Sequence, residues 1–196
     1  MRRQSYKKII NFVFLIAGFS YSIIQLLILE ISFLMLGGNI GDRMDYLSRC
    51  IELLRCRAGR IAAMSSVYEC EPWGFNNPQW FLNQAVALET NDAPNVLLEK
   101  IQIMEKELGR VRTGEGYQAR TMDIDILLYG SLAVNTPELV IPHPRMTERM
   151  FVLKPMAELA PGLEHPVLHR TMEDLMKHCA DMKQVKLMGG WSKCTF

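Results

Sequence analysis

Hydrophobic residues along this chain recur with two different spacings, and the switches between them mark out its elements. Ile31 to Leu36 is an apolar run of strand length, and Gly37-Gly38-Asn39-Ile40-Gly41 forms the turn after it. Asp42 suits the N-cap of a helix reaching about Arg57, with Met44, Leu47, Ile51 and Leu54 at helical spacing. Ile61 to Tyr68 predicts a strand, and Glu71-Pro72-Trp73-Gly74-Phe75-Asn76-Asn77-Pro78 a loop. Phe81 to Leu88 alternates as a strand, with Leu82, Ala85 or Val86, and Leu88 as core candidates. Pro94 opens an amphipathic helix through Leu108, and Gly109 ends it. A polar stretch from Arg110 to Arg120 delivers another strand, in which Met122, Ile124, Ile126 and Leu128 form one apolar face. Val134 to Ile141 predicts a short strand or pair, Pro142-His143-Pro144 a turn, and Met146 to Leu159 and Thr171 to Asp181 two closing helices. The order β-α-β-β-α-β with C-terminal additions predicts an α+β, ferredoxin-like fold, an antiparallel sheet with helices on one face.

The N-terminal 30 residues break this pattern. Arg2, Arg3, Lys7 and Lys8 precede an uncharged run, residues 9–29, long enough to pass for a membrane span. The strand at Ile31 follows with no linker. Residues 1–30 are therefore expected to be an extension from an upstream start codon, with a membrane tether through residues 9–29 as the alternative. Residues 31–191 form the expected domain and residues 192–196 a tail.

Composition narrows the function classes. A net charge of +1, from 22 basic and 21 acidic residues, gives no general pull toward nucleic acid or membrane. The five cysteines include no C-x-x-C pair and read as reduced thiols of a cytoplasmic protein. His165 and His169 could hint at a metal but are expected to serve packing or surface roles.

The chemistry concentrates in Arg120-Thr121-Met122-Asp123-Ile124-Asp125. Residues two apart on a strand share a face, so Asp123 and Asp125 sit side by side, and such a pair invites a cation. Mg²⁺ binds through one or two carboxylates together with substrate phosphates. A phosphate clamp could be drawn from Arg110, Arg112, Arg120, His143 and Arg149, because guanidinium groups match phosphate oxygens. Trp73, Phe75, Trp80 and Phe81 crowd one loop, with Asn83 on the face of Phe81, which is material for stacking and edge-reading a heterocycle. The turn Gly37 to Gly41 lacks both the dinucleotide and the P-loop spacing, and reads as a tight turn before a capped helix.

In these segments the chain resembles the 6-hydroxymethyl-7,8-dihydropterin pyrophosphokinases of folate biosynthesis. The resemblance runs from about Ile31 to Trp191. It rests on Leu36-Gly37-Gly38-Asn39-Ile40-Gly41-Asp42, Ser65 to Gly74, Phe81-Leu82-Asn83, Glu105 to Arg112, Arg120 to Ile126 and Ile141-Pro142-His143-Pro144. It implies Mg²⁺-dependent transfer of pyrophosphate from ATP to the pterin hydroxymethyl group, with release of AMP. Asp123 and Asp125 would hold two Mg²⁺ ions, and Arg110 and Arg120 would act on the phosphates. Gln102, Glu105, Arg112, Tyr117, Ile126, His143 and Arg149 would contact the nucleotide. Phe81 and Phe151 would flank the pterin, and Asn83, with backbone groups near Cys70, Glu71 and Trp73, would contact its edge. A monomer binding ATP and the pterin, with no nucleic acid, is implied. Three departures stand out: Gly38 replaces a usual serine, a change expected to be mild; Tyr117-Gln118-Ala119 replaces a stiffer Gly-Pro stretch; and Pro144 stands where an aromatic is frequent.

Two other classes share parts of this pattern. A ferredoxin-like RNA-binding module would need exposed sheet aromatics on a basic surface, which the charge balance disfavours. An ordinary kinase or nucleotidyltransferase could use the same carboxylate pair and would differ in its nucleotide product.

Overall fold

The computed structural model describes residues 29–74, 78–110 and 119–188. Five strands form the central antiparallel path: β1 (Glu30–Gly38), β3 (Tyr68–Cys70), β4 (Phe81–Thr90), β5 (Asp123–Tyr129) and β8 (Val185–Leu187), in the order β5-β1-β4-β3-β8. Strand β2 (Arg60–Met64) pairs with the far half of β4. The expected single strand from Ile61 to Tyr68 is thus two short strands separated by a kink. The kink's polar groups are satisfied by β4 and by Glu158 of a later helix. Ser65 Oγ accepts from Ala85 N at 2.9 Å, and Gln84 Nε2 donates to Ser65 O at 2.8 Å. Glu158 accepts from Ser66 N, Ser66 Oγ and Tyr68 Oη at 3.1, 2.8 and 2.9 Å.

Helices α1 (Arg43–Arg57) and α2 (Pro94–Glu107) cover one face. Asp42 caps α1 by accepting from Asp45 N at 3.0 Å, and Gly109 follows α2 at φ +82°, as a residue past a helix end often does. Leu47, Ile51 and Leu54 of α1 and Leu97, Ile101 and Met104 of α2 pack on Leu34, Leu36, Leu82, Val86, Ile124 and Ile126.

The opposite face is covered as well. Helix α3 (Met150–Leu159), entered through a 3₁₀ turn at Met146–Glu148, and helix α4 (Met172–Lys177) pack on Phe33, Met35, Ala85 and Ala87. The C-terminal additions therefore complete a three-layer arrangement around the ferredoxin-like core. The short strands β6 (Val134–Asn135) and β7 (Val140–Ile141) pair as a hairpin beside β5. Leu128 departs from the expected apolar stripe. A register shift opposite Phe33/Leu34 turns it over, so it packs with Phe33 while Ile124 and Ile126 face α1 and α2.

His165 is buried, and its Nδ1 accepts from Val167 N and Leu168 N at 3.3 and 3.2 Å, a turn-building role. No helix among the described residues is long and apolar enough to cross a membrane; the run expected as an N-terminal extension, up to residue 28, lies outside those residues.

Candidate active site

The register of the sheet creates the site. Gly37 of β1 stands opposite Asp123 on one side and Asn83 on the other, so the three form a row across β5, β1 and β4. Glycine leaves the middle of that row open. A Cβ at Gly37 would lie 2.6 Å from Asn83 Oδ1. Above the row lies a cavity of about 250 Å³, lined by Phe81, Asn83, Trp73, Glu71, Phe151 and Arg149 with Asp123 and Asp125 at its end. A second cavity of about 280 Å³ is lined by Leu98, Ile101, Gln102, Glu105, Ile126 and Leu139 among others. Arg110, Asp123, Asp125 and His143 line both. The two spaces meet at the carboxylate pair.

The charges there are arranged in layers. Arg110 Nη1 donates to Asp123 Oδ1 and to Glu105 Oε1, and Arg120 Nη1 donates to Asp123 Oδ2. Glu105 is buried near the end of α2 and also accepts from Ile124 N at 2.9 Å, which ties the helix to the aspartate strand. Burial and the nearby Asp123 carboxylate hold Glu105 well above the usual carboxylate range. Asp125 is raised as well, first by burial and then by Asp123. His143 is lowered to about 4 by burial and by Arg149, so its ring is neutral near pH 7. Its Nδ1 accepts from Arg145 N at 3.1 Å, which places the ring proton on Nε2 as a donor.

Arg120 is fixed through its backbone. Its N–H donates to Asn39 Oδ1 at 2.9 Å, and its carbonyl accepts from Asn39 N and Ile40 N at 2.9 and 3.2 Å. Its Nε is buried with no hydrogen-bond partner among the described residues. The guanidinium lies over the Phe81 ring at 5.7 Å. Arg149 lies 4.8 Å over Trp73 and 5.6 Å over Phe151.

Most of the residues singled out from the sequence converge here. Arg110, Arg120, Asp123, Asp125, Glu71, Trp73, Phe81, Asn83, Phe151, His143 and Arg149 line the first cavity, and Gln102, Glu105 and Ile126 the second. Arg149 is thus on the side of the aromatic walls. Cys70 is not among the lining residues: its buried thiol, pushed up to about 12 by burial, packs with Tyr68 and Val185 beneath Phe151. Arg112, Tyr117 and Phe75 lie outside the described residues. Sequence reasoning missed the apolar lining from Leu98 and Leu139. Leu98 lies in the predicted amphipathic helix and Leu139 in the predicted strand or pair, and the meeting of α2 with the β6–β7 hairpin opens a space between them.

The donor set suits a hard divalent cation. Two carboxylates crowded together under burial gain from a positive charge between them, and no group of three His, Cys, Asp or Glu suited to a metal exists among the described residues. Two carboxylates leave the remaining ligand positions of such a cation to other oxygen donors.

Residues 33–161 match the family described as 7,8-dihydro-6-hydroxymethylpterin-pyrophosphokinase. A 2-amino-4-hydroxy-6-hydroxymethyldihydropteridine pyrophosphokinase of Porphyromonas gingivalis is 45% identical over 141 residues, covering 70% of this chain and 95% of that protein. Its counterpart in Bacillus subtilis is 44% identical over 136 residues, 69% of this chain and 81% of that one. Among solved structures, the Plasmodium falciparum HPPK-DHPS chain aligns with a TM-score of 0.65 over 76% of this chain at 17% identity, a likeness of fold. This chain spans 44% of the length of that longer protein. With the match running from the first strand through α3, and covering nearly all of the P. gingivalis relative, the chain belongs to the 7,8-dihydro-6-hydroxymethylpterin-pyrophosphokinase family of diphosphotransferase enzymes.

Proposed function

We propose that this chain transfers pyrophosphate from ATP to 6-hydroxymethyl-7,8-dihydropterin, yielding AMP and the pterin diphosphate, with Mg²⁺ required. The observation that carries the reading is the meeting of two unlike cavities at Asp123 and Asp125, one walled by aromatic rings and an amide, the other by apolar residues with Gln102, Glu105 and Glu138. Such a pair of spaces brings an acceptor and a phosphate donor to one point.

In this reading the pterin lies between Phe81 and Phe151, with Asn83 reading its polar edge. Gly37 leaves the acceptor hydroxymethyl a path past Asn83 toward the carboxylates. The nucleotide occupies the second cavity, with its phosphates at the junction. Two Mg²⁺ ions, when held there by Asp123 and Asp125, supply charge neutralisation and alignment for in-line transfer. The acceptor oxygen attacks the β-phosphorus, the bond from that phosphorus to the α,β-bridging oxygen breaks, AMP departs with that oxygen, and the hydroxyl proton is released to solvent. Arg110 and Arg120 turn from Asp123 to the phosphates and stabilise the charge that develops on them. His143, neutral and protonated at Nε2, offers a hydrogen bond without adding charge. No covalent enzyme intermediate is needed. Arg112 and Tyr117 belong to the nucleotide side in the same reading. The enzyme acts as a cytoplasmic monomer, with the functional domain starting at β1 (Glu30–Gly38) and the residues before that strand outside it.

The test is product identification. The full chain is incubated with ATP, Mg²⁺ and 6-hydroxymethyl-7,8-dihydropterin, and the nucleotides are separated by chromatography. Pterin-dependent AMP is expected. Formation of ADP or of free pyrophosphate would replace this reading with an ordinary kinase or a nucleotidyltransferase.

A further inference from the structure

Residues 162–188 lie beyond the span matched to the family, yet the end of this segment touches both walls of the aromatic cavity. Strand β8 pairs with β3, placing Val185 opposite Cys70 and Lys186 opposite Glu69. Just before it, Glu71 N donates to Gln184 O at 3.1 Å, and Gln184 N donates to the Glu71 carboxylate at 3.3 Å. Lys186 lies 4.6 Å over the Trp80 ring. On the other wall, Lys154 Nζ of α3 donates to Val185 O at 2.7 Å.

The contact of most consequence is made by Asp181. Helix α3 opens at Met150, between two cavity residues, Arg149 and Phe151. Arg149 occupies the N-cap position but makes no side-chain cap bond, because an arginine has no acceptor to offer. Asp181 does this from 31 residues downstream: its Oδ2 accepts from Met150 N at 2.9 Å, while its Oδ1 accepts from Lys183 N at 3.0 Å. One carboxylate thus fixes the backbone between Arg149 and Phe151 and also the turn that feeds β8. The residues that line only the second cavity, such as Gln102, Ile126 and Leu139, take no part in these bonds.

We infer that the segment from Asp181 to Lys186 is a positioning element for the acceptor cavity, with Asp181 setting the placement of Arg149 and Phe151. The inference rests on the reading of that cavity as the pterin site. Removing the cap loosens the first turn of α3, so Phe151 loses its fixed spacing from Phe81 while the nucleotide side is untouched.

The experiment measures the binding of 6-hydroxymethyl-7,8-dihydropterin and of a non-hydrolysable ATP analogue to the full chain by calorimetry, for the natural protein, Asp181→Ala and Asp181→Asn. Thermal unfolding is recorded alongside. Asp181→Ala is expected to weaken pterin binding roughly three- to ten-fold, the range of a lost helix cap, with the nucleotide constant within about two-fold of the natural protein. Asp181→Asn keeps an acceptor oxygen and is expected to restore most of the loss. Should Asp181→Ala not fold, Asp181→Glu, which displaces the carboxylate by one methylene, supplies the same readout. Unchanged pterin affinity, or equal losses for both ligands, would overturn the inference and leave the pterin site standing. A natural chain that binds nucleotide but no pterin would remove the functional reading and this inference with it.

Discussion

Replacing Glu105 tests how the site is built into the fold. Its carboxylate accepts from Ile124 N at 2.9 Å and from Arg110, and the residue is 3% exposed. Glu105→Ala leaves the buried Ile124 N–H without this acceptor, at a cost of about 1–3 kcal/mol. Loss of one buried methylene adds about 0.8 kcal/mol. Arg110 keeps Asp123, and relief from holding a buried carboxylate offsets part of the total. The net expectation is a loss of about 1–3 kcal/mol, or a fall in Tm of about 2–12 °C for a chain of this size. Glu105→Gln preserves the acceptor and the volume, and is expected to lose under about 1 kcal/mol near pH 6.

The pH dependence separates charge from packing. Glu105 has a raised folded pKa, so between its ordinary value of about 4.3 and the raised one the folded state binds the extra proton. Its contribution to stability is complete below the ordinary value and is lost as pH rises through the folded one. The stability of Glu105→Gln relative to the natural chain should therefore improve as pH rises from about 5 to 8. Urea unfolding of the ligand-free proteins at several pH values provides the measurement. A difference that is flat across that range, or Glu105→Ala as stable as Glu105→Gln, would refute the reasoning.

Asp125→Asn is expected to cut turnover by at least about 10³-fold, since an aligned metal is worth several kcal/mol to the transition state. The same variant should match or exceed the natural chain in ligand-free Tm at pH 8, because burial and Asp123 make the ionised Asp125 unfavourable; steady-state kinetics beside calorimetry would show both. Gly38→Ala would place a Cβ 2.1 Å from Thr121 O, so the segment that carries Arg120 must shift. A stability loss of about 1–3 kcal/mol and a roughly 10²-fold fall in kcat are expected, and natural kinetics in this variant would show that the close approach does not position Arg120.

The sequence makes the strand aspartates, the aromatic loop and the two long helices legible, because each rests on short-range spacing. Asp42 and Pro94 announce their helices, and Asp123 and Asp125 announce a shared face. Features set by distant pairing were hidden. The Ser65–Ser66 kink depends on Glu158, some 90 residues downstream. The turning over of Leu128 depends on a bulge against β1 that strict alternation cannot signal. Cys70 enters the reading through its backbone, and that its thiol packs with Tyr68 and Val185 is set by pairing with a strand more than 110 residues downstream. Gly38 shows the limit of comparing residue types. As a substitute for serine it looks mild, but the Thr121 carbonyl lies where any side chain would begin.

The central claim, that a pyrophosphoryl group moves from nucleotide to pterin at the Asp123–Asp125 junction, is tested most directly by following labelled ATP. With the full chain, Mg²⁺ and 6-hydroxymethyl-7,8-dihydropterin, label in the β- and γ-phosphates should appear together in the pterin product, and label in the α-phosphate should remain in AMP. Transfer of the γ-label alone, or of the α-label, would contradict the account.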